Sequence, residues 1–189
     1  FLKEVRKWLA SSCTTSFFEK IGSVLTTQYN YQISDKTIIE QEVNDEIILI
    51  QQFFVHPNPD RHKEIKETLS YNIHNKSINQ IVLLNERIYT DKELGVSSNK
   101  IKQIVINKRL TYADVFNYVE TLGNDKYIIL SNSDIFFDAT INRIKISGLT
   151  TKKKLFSLLR YEYKRGTSLK KSPLFGPRPD SQDSWIWHS

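Results

Sequence analysis

The chain has no methionine, one cysteine, five prolines and six glycines in 189 residues. The lone thiol, Cys13, excludes an internal disulfide framework and a cysteine-rich zinc site. So few glycines leave neither a Walker loop nor a dinucleotide-binding turn. No run of about 18 apolar residues exists, so no membrane span is expected, and no signal-peptide pattern is present. A start at Phe1 without any methionine leads us to expect a piece of a longer protein, with further domains of the same chain possible. A cytoplasmic location is the expectation for this piece. No internal repeat is found.

Hydrophobic content of 39% and charged content of 25% match a soluble globular domain, and the length allows a sizeable core. The net charge of +6 raises the question of nucleic acid. Its distribution argues against it. Lysines are spread along the chain, dense only at Lys152–Lys154 and Lys170–Lys171. No zinc-finger, RNP or helix-turn-helix pattern accompanies them. A basic surface that attracts phosphorylated small molecules is the reading adopted, with no nucleic-acid partner.

The pattern changes near residue 46. Before it, Leu2, Val5, Trp8 and Leu9, then Phe17, Phe18, Ile21 and Val24-Leu25, mark two short amphipathic helices among polar stretches. Residues 1–45 therefore read as an N-terminal helical appendage, and 46–189 as one domain. That domain alternates strands and helices. Ile47 to Phe54 is a strand broken by His56-Pro-Asn-Pro59, and Pro59 to His74 is a helix with Ile65, Leu69 and Ile73 inward. Strands follow at Ile81–Leu84 and Ile101–Ile106. Thr111 opens another helix, with Val115, Phe116 and Val119 inward and Gly123 as its C-cap. Tyr127–Leu130 is a fourth strand, Lys154–Arg160 a fifth continuing to Tyr163, and Ser184–Trp187 a last one. Such alternation implies an α/β fold with a largely parallel sheet.

The stretch Tyr127-Ile-Ile-Leu-Ser-Asn-Ser-Asp-Ile-Phe-Phe-Asp138 organises the rest. A buried strand runs into short polar side chains, and open α/β sheets bind ligands at the carboxyl ends of their strands. Asp138 reads as the N-cap of a helix over Ala139–Ile146. Nothing local requires a carboxylate at Asp134, which makes it the functional candidate. His56, His62 and His74 lack metal-ligand spacing and read as surface residues.

The element order, the Ser131–Asp138 motif, Arg109-Leu-Thr-Tyr112 before a helix, and the closing Asp180-Ser-Gln-Asp-Ser-Trp185 together resemble GT-A-fold glycosyltransferases. The likeness is to the small glycosyltransferase-like domains of large DNA viruses and some bacteria, and covers roughly residues 46–187. It implies a GT-A-like, Rossmann-like sheet flanked by helices, a nucleotide-sugar donor (UDP- or GDP-sugar) and a glycan or other hydroxyl acceptor. Asn132-Ser-Asp134 stands where the family carries Asp-x-Asp. The resemblance implies Asp134 as ligand to Mn²⁺ or Mg²⁺, with Asn132 replacing the first acid beside Ser133 on the donor. It puts Gln52, Phe53 and Phe54 near the nucleotide base, although core packing explains the phenylalanines equally well. Arg109 and Tyr112 at a helix start, and Arg160 at the end of the fifth strand, are further donor contacts. For Asp114 a place in the helix's first turn is favoured over ligand contact. Of the late acids Glu162, Asp180 and Asp183, the last, beside the aromatic Ser184–Trp187 element, is the expected base of an inverting transfer. Its alternative role is a turn cap or a partner of Arg160. A dehalogenase-like phosphatase lacks its Asp-x-Asp-x-Thr here, and a nucleotidyltransferase would show a glycine-rich basic loop after the first strand. A non-catalytic binding domain is the remaining rival.

Overall fold

Three apolar runs decide the centre of the sheet. Ile47–Ile50, Ile81–Leu84 and Tyr127–Leu130 are buried on both faces, as parallel strands covered from each side must be. The computed structural model describes residues 46–151, 154–176 and 182–189. Its strands β1 (Glu46–Gln51), β2 (Gln80–Asn85), β3 (Ile101–Val105) and β4 (Lys126–Ser131) pair in parallel. Strand β3 is an edge, and Lys102 and Val105 face solvent there.

The remaining strands, β5 (Leu155–Leu158) and β6 (Ser184–His188), complete the order β3-β2-β1-β4-β6-β5. Strand β6 runs antiparallel to both β4 and β5. The fold is thus α/β and Rossmann-like, a mostly parallel six-stranded sheet flanked by helices. The fifth strand is shorter than its sequence predicts. Its ladder stops where Leu158 meets Ser184, the first residue of β6, so Arg160 and Tyr163 lie beyond it.

Helix α1 (Pro59–His74) covers one face. Its Ile65, Leu69 and Ile73 pack with Ile47, Leu49, Ile81 and Leu83. Asn58 caps it by accepting from the backbone N–H of Asp60 at 2.9 Å and of Arg61 at 3.3 Å. Pro59 begins the helix, where its missing N–H costs nothing. Asn58→Ala is expected to remove about 1 kcal/mol of stability. In a melt that is a fall of roughly 2–4 °C; an unchanged Tm would show the cap to be idle.

After the short helix α2 (Asp91–Leu94), helix α3 (Tyr112–Glu120) covers the opposite face. Val115 and Val119 pack there on Ile48, Ile50, Val82 and Ile128. It ends earlier than its glycine predicts. The N–H groups of Thr121 and Leu122 turn back to Tyr118 and Val119 at 2.9 and 3.0 Å, closing the helix before Gly123. Asp138 caps the next element as expected, its carboxylate accepting from the Thr140 N–H at 2.9 Å. That element, Ala139–Ile146, is a 3-10 helix rather than an α-helix; Ile141 and Ile144, three apart, are its buried residues, and the 3-10 repeat keeps them on one side.

Two compact units divide the described residues. The sheet and its helices belong to Glu42–Leu158 with Asp183–Ser189. The described part of the other unit is 159–176 with Gln182. There Tyr161 bridges Leu174, Glu162 N–H donates to the Pro173 carbonyl at 2.8 Å, and Phe175 N–H donates to that of Arg160 at 3.0 Å. The expected appendage over 1–45, and Asp180, lie outside the described residues. Among the described residues no helix is long and apolar enough to cross a membrane.

Candidate functional site

A cleft of about 620 Å³ opens at the carboxyl ends of β1 and β4. Chain order reverses between these two strands, since β1 is followed by β2 on one side and neighbours β4 on the other. Ligands of open α/β sheets bind at such a switch point. The volume falls within the usual range for small-molecule sites, about 300–1,000 Å³.

Its floor is the loop after β4. Asn132, Ser133 and Asp134 line the cleft, and buried polar side chains hold the backbone beneath them. Gln51, 2% exposed at the end of β1, donates from Nε2 to the carbonyls of Asn132 at 2.7 Å and Ile135 at 3.2 Å, and to Ser131 Oγ at 2.9 Å. From α1, Thr68 Oγ1 donates to the Ser133 carbonyl at 2.7 Å. Asn72, fully buried, donates to the Ile135 carbonyl at 2.9 Å and accepts from the Phe137 N–H at 3.0 Å. Asn75 Nδ2 donates to the carbonyls of Phe137 and Asp138 at 2.8 and 3.1 Å. The sequence reading missed this clamp. Its signal was polar residues on the buried stripe of α1, among Ile65, Leu69 and Ile73; a buried amide must find partners.

The opposite wall is the segment before α3. Gln52 Nε2 donates to the Lys108 carbonyl at 3.0 Å, and Gln52 Oε1 accepts from the Leu110 N–H at 3.1 Å. One amide thus grips the backbone on both sides of Arg109, an exposed side chain of the cleft. Among the described residues no ion pair engages Arg109. Thr111 and Asp114 form a capping box that starts α3. Asp114 also meets Lys108 at 2.8 Å. The Lys108 hydrogen bond, then that of Thr111, holds its carboxyl below the usual carboxylate range. Asp114 therefore belongs to the helix start. Tyr112 stands edge-on to Trp185, ring centres 5.2 Å apart. Partial burial raises its hydroxyl above the ordinary tyrosine value.

Gln52, Arg109, Tyr112, Asn132, Ser133 and Asp134 thus share one cleft with Phe54 and with Trp185 of the aromatic element, joined by His56 and Arg61, which the sequence does not assign to it. Three expected residues are placed otherwise. Phe53 is a core residue, 2% exposed, with Tyr89 and His62 edge-on at 5.0 and 6.0 Å; its N–H is held by Asn85 Oδ1 at 2.9 Å. Alternation along the chain turns it inward and its neighbours Gln52 and Phe54 outward. Arg160 belongs to the other unit, where it pairs with Glu162 at 2.9 Å and covers the Phe175 ring at 3.7 Å. Asp183 is 4% exposed. Its carbonyl accepts from the Asn132 N–H at 3.2 Å and its carboxylate from Asn132 Nδ2 at 3.4 Å.

Among the described residues Asp134 is the one carboxylate that lines the cleft, and Arg61 Nη2 donates to its Oδ2 at 2.8 Å. Among the described residues no group of three or more His, Cys, Asp or Glu side chains comes together to hold a metal ion. Asn132 supplies a neutral amide where the resemblance leads one to expect an acid. Hard divalent ions are held by one or two carboxylates that are free to bind, with water or substrate oxygens completing the shell, and Arg61 already occupies Asp134. This donor set does not fit a resident Mn²⁺ or Mg²⁺.

No family model matches the chain, and no curated protein matches it. Among solved structures it is similar to 4-diphosphocytidyl-2C-methyl-D-erythritol synthase from Anaerococcus prevotii, at 14% identity and a TM-score of 0.47, over 77% of this chain and 71% of that one. A second structure of 4-diphosphocytidyl-2C-methyl-D-erythritol synthase aligns at 10% identity and a TM-score of 0.44, over 76% and 73%.

Proposed function

We propose that the cleft binds a nucleotide-sugar and that the protein transfers the sugar to a hydroxyl acceptor. The observation that carries this reading is the cleft itself, at the switch point of the sheet, with a cationic wall facing a polar floor and an aromatic pair. A nucleotide-sugar needs all three. Its diphosphate calls for a cation, which Arg109 offers at the start of α3. Its base or sugar ring packs on Tyr112 and Trp185. Sugar hydroxyls find partners in Asn132, Ser133 and Asp134.

In an inverting transfer the acceptor oxygen bonds to the anomeric carbon while the bond to the diphosphate breaks. The acceptor's proton passes to a carboxylate, and the nucleoside diphosphate leaves as an anion. We assign the proton to Asp183, next to Asn132 and two residues before Trp185. A binding module without chemistry is the second reading; the burial of Asp183 favours it.

Thermal melts of the whole chain with UDP- and GDP-sugars test this. A donor at a hundred times its Kd adds about 2.7 kcal/mol, which raises Tm by roughly 5–10 °C. Stabilisation accompanied by release of nucleoside diphosphate on adding acceptor supports transfer. Stabilisation without release supports the binding module. No shift with any donor removes the nucleotide-sugar reading.

A further inference from the structure

One ion pair in the cleft has an unusual neighbourhood. Arg61 donates from Nη2 to Asp134 at 2.8 Å and from Nη1 to Glu64 on its own helix. Its guanidinium thus lies between two carboxylates. Arg61 also sits in the first turn of α1, where the helix dipole disfavours a cation. The side chain is held there by its partners, against the dipole.

We propose that Arg61 is the resident cation of the cleft. It balances Asp134 in the empty site and turns onto the diphosphate of an incoming ligand, beside Arg109, so that binding needs no divalent ion. The assignment rests on the donor site proposed above. Three observations carry it. The single cleft-lining carboxylate is already matched by this guanidinium. The other floor residues, Asn132 and Ser133, are neutral. The Arg61 side chain is 51% exposed and that of Asp134 29%, and an ion pair so open to water is weakly held. A diphosphate offers the fork of arginine stronger, charge-assisted hydrogen bonds, so the exchange favours the ligand.

The geometry also fixes what removal of Arg61 does. Asp134 and Glu64 would then face one gap without a counter-charge, and two carboxylates with a ligand's phosphate oxygens are a set that Mn²⁺ accepts. The variant should become metal-dependent where the parent is not.

Calorimetric titration with inorganic diphosphate, and separately with UDP and GDP, tests this in EDTA and in excess Mn²⁺. Wild type is expected to bind with the same affinity in both. Arg61→Gln should weaken binding in EDTA by about tenfold or more, the worth of one or two charge-assisted hydrogen bonds. Mn²⁺ should restore it, and the paramagnetic resonance signal of free Mn²⁺ should fall below that of a protein-free control with the same diphosphate only with this variant. Adding Glu64→Gln should abolish that rescue. Both side chains are largely exposed, and matching melts would confirm folded protein. Wild-type binding that requires Mn²⁺, or Arg61→Gln that binds in EDTA like wild type, overturns the proposal. If inorganic diphosphate follows the expected pattern while no nucleotide-sugar binds, the resident cation stands and the transferase reading falls.

Discussion

Asp183→Asn is expected to lower sugar transfer by roughly a hundredfold or more, the usual worth of a general base, with donor affinity changed less than about twofold. The substitution keeps the shape and removes the capacity to take a proton. Its surroundings make the partition informative. Asn132 sits on the carboxylate at 3.4 Å and on the backbone carbonyl at 3.2 Å, and an amide at 183 can still accept from Asn132 through its oxygen. A base should therefore show itself in kcat alone. If donor affinity falls in step with kcat, Asp183 is an anchor for Asn132 and the base is elsewhere. Turnover that survives unchanged would point to a retaining enzyme.

Asn72→Ala should cost about 2–5 kcal/mol of stability, from one stranded N–H, a carbonyl left to Gln51 alone and a small void. The side chain is fully buried, and its loss strands the Phe137 N–H and removes a donor from the Ile135 carbonyl. Each orphaned buried group costs about 1–3 kcal/mol, and a small void adds to it. Thermal unfolding should shift down by roughly 5–15 °C, and ligand affinity in the cleft should fall with it because the floor is released. A shift of less than about 2 °C would show that water replaces the amide without cost.

The centre of the sheet was legible because burial on both faces leaves apolar residues throughout the middles of β1, β2 and β4, at Ile47–Ile50, Ile81–Leu84 and Tyr127–Leu130. The floor of the cleft was legible for a related reason, since Ser131 to Asp134 interrupts apolar sequence on either side. What escaped was long-range. Strands β5 and β6 pair across residues 159–182, and no local pattern says that β6 inserts between β4 and β5. The 3-10 helix at Ala139–Ile146 escaped because α and 3-10 turns bury nearly the same side chains. The sequence leaves Phe53 and Phe54 undivided between core and cleft, and alternation along the strand's continuation divides them, Phe53 to the core and Phe54 to the cleft. Arg61 was readable in principle, as a positive charge at the wrong end of a helix.

The clamp beneath the cleft has a consequence for how such a protein changes over generations. Gln51, Thr68, Asn72 and Asn75 hold the loop at the carbonyls of 132, 133, 135, 137 and 138 and the N–H of 137. Every one of these is a main-chain atom, so this scaffold is indifferent to which side chains the loop displays. Reactive groups at 132, 133 and 134 can be exchanged while the platform that aims them stays as it is. An asparagine at 132 in place of an acid is then an exchange that alters chemistry and leaves architecture untouched.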